Sequence, residues 1–151
     1  MEVIVNEWLL DYMRLGSNLE DMSVAGQFIN LWVKKCFKIV VRRPSKFFKK
    51  FYRYIEESNR NNDCKKRFRK LNHLLLYNWE KTKIIEDVDI EELPGEIKTK
   101  VPSSNTYLVE LAYSSGNKII VTADGKLKEK LQDEVGLKIY MPNEFLQEYL
   151  S

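Results

Sequence analysis

The stretch KIIVTADGKLKEKL, residues 118–131, decides the fold. A short β-branched run suited to a buried strand passes through Thr122-Ala123-Asp124-Gly125 and enters at once a helix marked by Leu127 and Leu131. A strand that hands over directly to a helix is half of a parallel β-α unit. In open α/β sheets that junction is where ligands bind, because the carboxyl ends of strands and the amino ends of helices meet there. Asp124 stands at the junction, and two readings of it are open. It caps the helix, since Asp is a favoured N-cap, or it serves as the carboxylate of a site.

Working outward, the same order of elements recurs. Glu2 to Val5 is a β-prone run followed by an amphipathic turn or helix over Glu7 to Met13. After the break at Leu15 to Asn18, Ser23 is placed to cap a helix carrying Val24, Phe28, Leu31 and Trp32. Phe37 to Val41 reads as a second strand. Pro44 suits the first turn of a helix whose buried stripe is Phe47, Phe48, Phe51, Tyr52 and Ile55. A loop at Asn59 to Asp63 precedes a helix marked by Phe68, Leu71, Leu75 and Leu76, and Lys83 to Ile85 is a third strand. An acidic, Pro- and Gly-broken connection runs from Glu86 to Pro102. Ser104 or Asn105 then caps a helix with Tyr107, Leu108, Leu111 and Ala112, which Gly116-Asn117 ends. Beyond the opening stretch, Leu137 to Tyr140 is a fifth strand, and Pro142-Asn143 begins a closing helix.

The alternation predicts a three-layer α/β/α fold with a mostly parallel sheet of four or five strands. Right-handed crossovers place every strand-to-helix junction on one edge of that sheet. Asn6-Glu7, Arg42-Arg43-Pro44 and Thr122 to Asp124 therefore share an edge.

The chain's 151 residues suit a single domain. No apolar run reaches membrane-spanning length, and MEVIVNEWLLDYM carries acids where a signal peptide carries positive charge, so a soluble cytoplasmic protein with no membrane association is expected. Cys36, Cys64 and His73 are too scattered for a zinc cluster or a disulfide framework, which leaves one packed thiol and one loop thiol.

The net charge of +3 conceals a division. Residues 34–83 hold 17 Lys or Arg against four acids, and the rest of the chain holds 8 basic against 18 acidic side chains. A basic block in an acidic frame points to a polyanionic partner for the middle of the chain.

The segment VPSSNTYLVELAYSSGNKIIVTADGKLKEKL with VGLKIYMPNEFLQEYL resembles the C-terminal half of PIN-domain nucleases. In that family a polar, usually acidic residue opens a helix of the type D-x-Y-L-x-x-L-A, and a strand ending V-T-x-D-x-x-L follows. Here these are Asn105 to Ala112 and Val121 to Asp124 with Leu127. Glu2 to Met13 fits the family's opening strand and junction more loosely, and the basic middle fits by element order. The resemblance implies a single PIN-like domain over 1–151, and three or four carboxylates at the sheet edge holding Mg²⁺ or Mn²⁺ against a phosphodiester, since hard divalent ions take oxygen ligands.

This chain departs from that pattern. The opening acid is Asn6 or, shifted by one, Glu7; the helix-start acid is Asn105; the middle acid meets Lys49 or Lys50; Asp124 alone matches outright. Two functions follow from the resemblance. One is a divalent-metal-dependent ribonuclease with Asp124 as principal ligand, Glu7 as second carboxylate, Asn6 and Asn105 as neutral ligands or water-positioning groups, and Thr122 hydrogen-bonding nearby. The other is an inactive scaffold that binds nucleic acid or a partner protein, as in a toxin-antitoxin or RNA-processing assembly. For Asn6 and Asn105, plain helix capping is the competing role.

The basic block has two readings as well, a solvated helix face or a phosphate track. Arg42, Arg43, Lys46, Lys49, Lys50 and Arg53 recur so that several share a face, and Lys65, Lys66, Arg67, Arg69 and Lys70 extend it. Single-stranded RNA is the expected partner, with Arg42→Glu and Arg43→Glu weakening binding and sparing the fold. Trp8, Tyr12 and Tyr113 are candidates to stack a base. The closing stripe of Phe145, Leu146, Tyr149 and Leu150 either seals the core or pairs two copies.

Overall fold

In the computed structural model, which describes residues 1–132 and 136–150, five strands form one parallel sheet. Residues 133–135 and 151, Val135 of the family-like segment among them, lie outside the description. The strands are β1 (Glu2–Val5), β2 (Lys38–Arg43), β3 (Thr82–Glu86), β4 (Ile119–Val121) and β5 (Lys138–Tyr140), in the order β3-β2-β1-β4-β5. Ile4 of the central strand lies opposite Val40 on one side and Ile120 on the other. Such strands read as unbroken apolar runs because helices cover both faces of a parallel sheet.

Alternate side chains enter two different cores. Val3, Val5, Ile39, Val41, Ile119 and Val121 meet an aromatic layer that includes Phe28, Trp32, Phe51, Phe68 and Phe145. Ile4, Val40, Ile120 and Ile139 meet an aliphatic layer of Leu108, Leu111, Leu127 and Leu131. The fold is thus three-layer α/β/α, as the alternation predicts, with the sheet at five strands and wholly parallel.

The helices are α1 (Trp8–Met13), α2 (Leu19–Lys34), α3 (Lys46–Ser58), α4 (Asn62–Leu76), α5 (Gly95–Lys98), α6 (Thr106–Tyr113), α7 (Gly125–Leu131) and α8 (Pro142–Tyr149). Several boundaries differ from those the sequence predicts, each through a local hydrogen bond. Asn18 rather than Ser23 caps α2, accepting the Asp21 amide at 2.8 Å; Ser23 lies inside the helix. Ser45 caps α3 through the Phe48 amide, so Pro44 precedes the cap instead of occupying the first turn. In α3 the buried tyrosine is Tyr54, 2% exposed, and Tyr52 faces solvent at 51%. The buried stripe runs through Phe47, Phe48, Phe51, Tyr54 and Ser58, and α3 packs against α4 as well as β2 and α1.

Gly116 does not end α6. Its last carbonyls are met by the Ser114 amide, and the left-handed backbone falls at Lys118, with φ 54°. The 86–102 connection contains a 3₁₀ turn at Asp87–Asp89 and α5, and it buries Leu93 and Val101 in the aliphatic core. Phe145 and Leu146 of α8 are buried against the aromatic core, so the closing stripe seals it. Among the described residues no helix is long and apolar enough to cross a membrane.

Candidate functional site

The strand order reverses between β1 and β4, and this switch point is where an open α/β sheet presents a crevice. Here the polar ends of the two strands are tied together. The Asn6 amide donates to Thr122 Oγ1 at 2.9 Å, and the Asp124 backbone N–H donates to the same oxygen at 3.1 Å. Thr122 has no exposed surface, so both bonds are sheltered from water. Asp124 Oδ2 accepts from the Asn105 amide at 3.2 Å, and Asp124 Oδ1 accepts from the Lys126 and Leu127 amides at 3.1 and 3.2 Å. Asp124 is therefore the N-cap of α7 and also a member of the junction. Of the two readings the sequence leaves open, capping is the one these bonds display.

Asn105 does not cap α6. Its amide is spent on Asp124, and no side-chain capping bond forms at that helix start. Asn6 does reach the start of α1, with Oδ1 accepting the Trp8 amide at a long 3.4 Å. Glu7 stands beside this group, and its Oε2 accepts the Tyr107 hydroxyl at 2.9 Å. Burial first, and then the negative charge of Glu7, push the Tyr107 phenol far above its ordinary value, so it remains a donor. By helical spacing Tyr107 reads only as an apolar helix residue. Its hydroxyl meets Glu7 from 100 positions away, so spacing along the helix carries no signal of the bond.

The structure thus brings Asn6, Thr122, Asp124 and Asn105 into one hydrogen-bonded chain, with Glu7 held alongside by Tyr107. As a site for Mg²⁺ or Mn²⁺ the donors do not fit the pattern the resemblance implies. A carboxylate only accepts, so Asn105 turns its NH₂ toward Asp124, and the two asparagines bring no charge where that pattern has carboxylates. Asn6 likewise aims its NH₂ at Thr122. Among the described residues no three of His, Cys, Asp and Glu converge as metal ligands.

The basic block separates into two parts. Arg42, at 14% side-chain exposure, pairs through Nε with Asp87 at 2.5 Å and through Nη1 with Glu110 at 3.5 Å, and it donates to the Tyr107 carbonyl at 3.3 Å. Arg43 pairs with Glu86, and Lys50 with Asp11 at 3.0 Å, where the Tyr54 hydroxyl also donates. Opposite charges therefore do interleave here, brought in from α1, from β3 and the turn after it, and from α6. Arg42, Arg43 and Lys50 are not free cations, so Arg42→Glu with Arg43→Glu also breaks the ion pairs from β2 to Asp87, Glu86 and Glu110. Lys46 lies over the Tyr107 ring at 5.9 Å and Arg53 over the Tyr54 ring at 5.2 Å, while Lys49 is exposed.

On α4, Lys65, Lys66, Arg69 and Lys70 are exposed, and none has an ion-pair partner among the described residues. Arg67 is half-buried, with Nε out of water and unpaired. Of the stacking candidates, Trp8 is 4% exposed and its indole N–H donates to the Val121 carbonyl at 2.8 Å. Trp8 meets Tyr12 edge-on. Tyr113 lies at the opposite sheet edge under Lys118, because α6 has crossed the sheet by then. Neither a protein-family model, nor a curated protein, nor a solved structure matches the chain. What the fold and junction define is an open parallel α/β domain whose switch point is closed by a hydroxyl, two amides and one carboxylate.

Proposed function

We propose that this chain is a PIN-like cytoplasmic domain that holds single-stranded RNA on the face of α3 and α4. The observation that carries the reading is the unpaired cationic surface of α4. Lys65 with Arg69, and Lys66 with Lys70, form two rows at four-residue spacing, with Lys49 and Arg53 exposed on neighbouring α3. Such rows neutralise phosphates and release counterions, with little choice of sequence. The likeness of Asn105 to Ala112 and Val121 to Leu127 to the PIN pattern supports RNA as the polyanion. Anisotropy of a labelled single-stranded oligoribonucleotide tests this. Log affinity should fall linearly with log salt, by roughly 0.7 per phosphate engaged. Absence of salt-dependent binding overturns the reading.

The convergence of Asn6, Thr122, Asp124 and Asn105 favours a second reading, a divalent-metal-dependent ribonuclease with Asp124 and Glu7 as its carboxylates. Incubating labelled RNA with Mn²⁺ and the wild type or Asp124→Asn separates the two. No Asp124-dependent cleavage is expected, because Asn6 and Asn105 bring no charge to the junction and leave Asp124 and Glu7 as its carboxylates, fewer than a divalent ion usually takes there. Cleavage by the wild type that is lost in the variant establishes the enzyme instead. A scaffold for a partner protein would show neither RNA binding nor cleavage.

A further inference from the structure

Helices α3 and α4 form a hairpin that leaves an open groove on its solvent side. The groove has a volume of about 430 Å³ and runs from the α3–α4 turn, near Lys65, to the end of α4 at Tyr77. That volume is within the range of roughly 300–1,000 Å³ typical of ligand sites. Phe68, buried in the core, contributes to its floor, and Tyr52, Arg69 and Asn72 line its middle.

Tyr52 is the informative residue. Its ring lies nearly parallel to Phe51, at 17° and 5.7 Å between centroids, and to Phe48, at 27° and 6.1 Å. Core rings therefore lie beside it nearly parallel while half of the residue remains in water. Tyr77, 72% exposed, stands at the end of the same groove. Two exposed aromatic rings beside two unpaired cations and a side-chain amide make a combination that an aliphatic ligand would not use. Nucleobases stack on such rings, and phosphates meet such cations.

We propose that this groove is a nucleobase-stacking site for single-stranded RNA. One base lies on the open face of Tyr52 and a neighbouring base on Tyr77. Lys65 and Arg69 take the flanking phosphates, and Asn72 offers both a donor and an acceptor to a base edge. The inference rests on the RNA binding proposed above and adds to it a part of the affinity that salt does not remove. Because every base has a stacking face, the site tolerates sequence.

The test compares a labelled oligouridylate with an abasic chain of equal length and charge, by anisotropy at low and high salt. The oligouridylate, with two stacked bases, should bind about a hundredfold tighter, the gap should persist at high salt, and Tyr52→Ala or Tyr77→Ala should each lower its affinity about tenfold. Tyr52→Phe keeps the ring and should stay near wild type, and unchanged circular dichroism should show that the variants fold. Equal binding of the two chains, or alanine variants with no effect, overturns the stacking site. If both chains then still bind in a salt-dependent way, the RNA-binding reading survives without it. If neither chain binds the wild type, both proposals fall.

Discussion

The end of β2 and the surface of α4 carry the same kind of charge and meet different fates. At β2, Arg42 and Arg43 are met by Asp87, Glu110 and Glu86, and Lys50 at the start of α3 by Asp11. On α4, Lys65, Lys66, Arg69 and Lys70 face water, with no ion-pair partner among the described residues. The difference follows from position in the sheet. Glu86 of neighbouring β3, Asp87 just after it, Glu110 of α6 and Asp11 of α1 all reach the end of β2 and the α3 lysine beside it, whereas among the described residues no acid comes within ion-pair distance of the exposed cations of α4. A basic run in a sequence is therefore not a basic surface until its neighbours are known.

The largest effect should come from reversing the α4 cations. Replacing Lys65, Lys66, Arg69 and Lys70 with Glu should lower RNA affinity on the order of a thousandfold at low salt and flatten the salt slope by about 2.8, as four lost phosphate contacts require. A smaller loss from these four than from Arg42→Glu with Arg43→Glu breaks the comparison. Arg42→Glu alone should cost about 3 kcal/mol of stability, because it leaves Glu110 and the Tyr107 carbonyl facing a like charge in a sheltered place. Chemical denaturation measures this, and a wild-type midpoint would show that the pairing at β2 contributes nothing.

The switch point sharpens the contrast in another way. Thr122→Val keeps the shape but leaves the Asn6 amide and the Asp124 N–H unpaired, which should cost about 2 kcal/mol and leave RNA affinity unchanged. A fall in affinity at unchanged stability would put the junction in contact with RNA.

The smallest effect belongs to the exposed seam between α1 and α3. The hydrogen bond from Arg14 holds the Glu57 carboxyl below its ordinary range. A depressed carboxylate contributes stability above its unfolded value and loses it as pH falls through the folded value. Thermal melts of Glu57→Gln should therefore show a flatter acid limb than wild type below the ordinary carboxylate range, with a difference under about 1 kcal/mol, as befits a surface pair. Parallel acid limbs would mean that the seam contributes no pH-dependent stability.

From residues alone the fold class was legible, since β-branched runs that pass directly into amphipathic helices admit little besides a parallel sheet covered on both faces. The strand ends of the junction were legible too. Asn6, Thr122 and Asp124 stand where β-α handovers must lie, and crossover handedness assigns them one edge. Periodicity gives the position of a residue along an element and not what approaches from another. That is why the sequence could not separate Tyr52 from Tyr54, turn the Asn105 side chain away from its own helix, or disclose that Tyr107 holds Glu7. Nor could it tell paired arginines from free lysines, because the acids that neutralise Arg42 stand 45 and 68 positions away and reach it only once the sheet has formed. Sequence determined which groups gather at the edge; tertiary packing decided which of them remain free to bind.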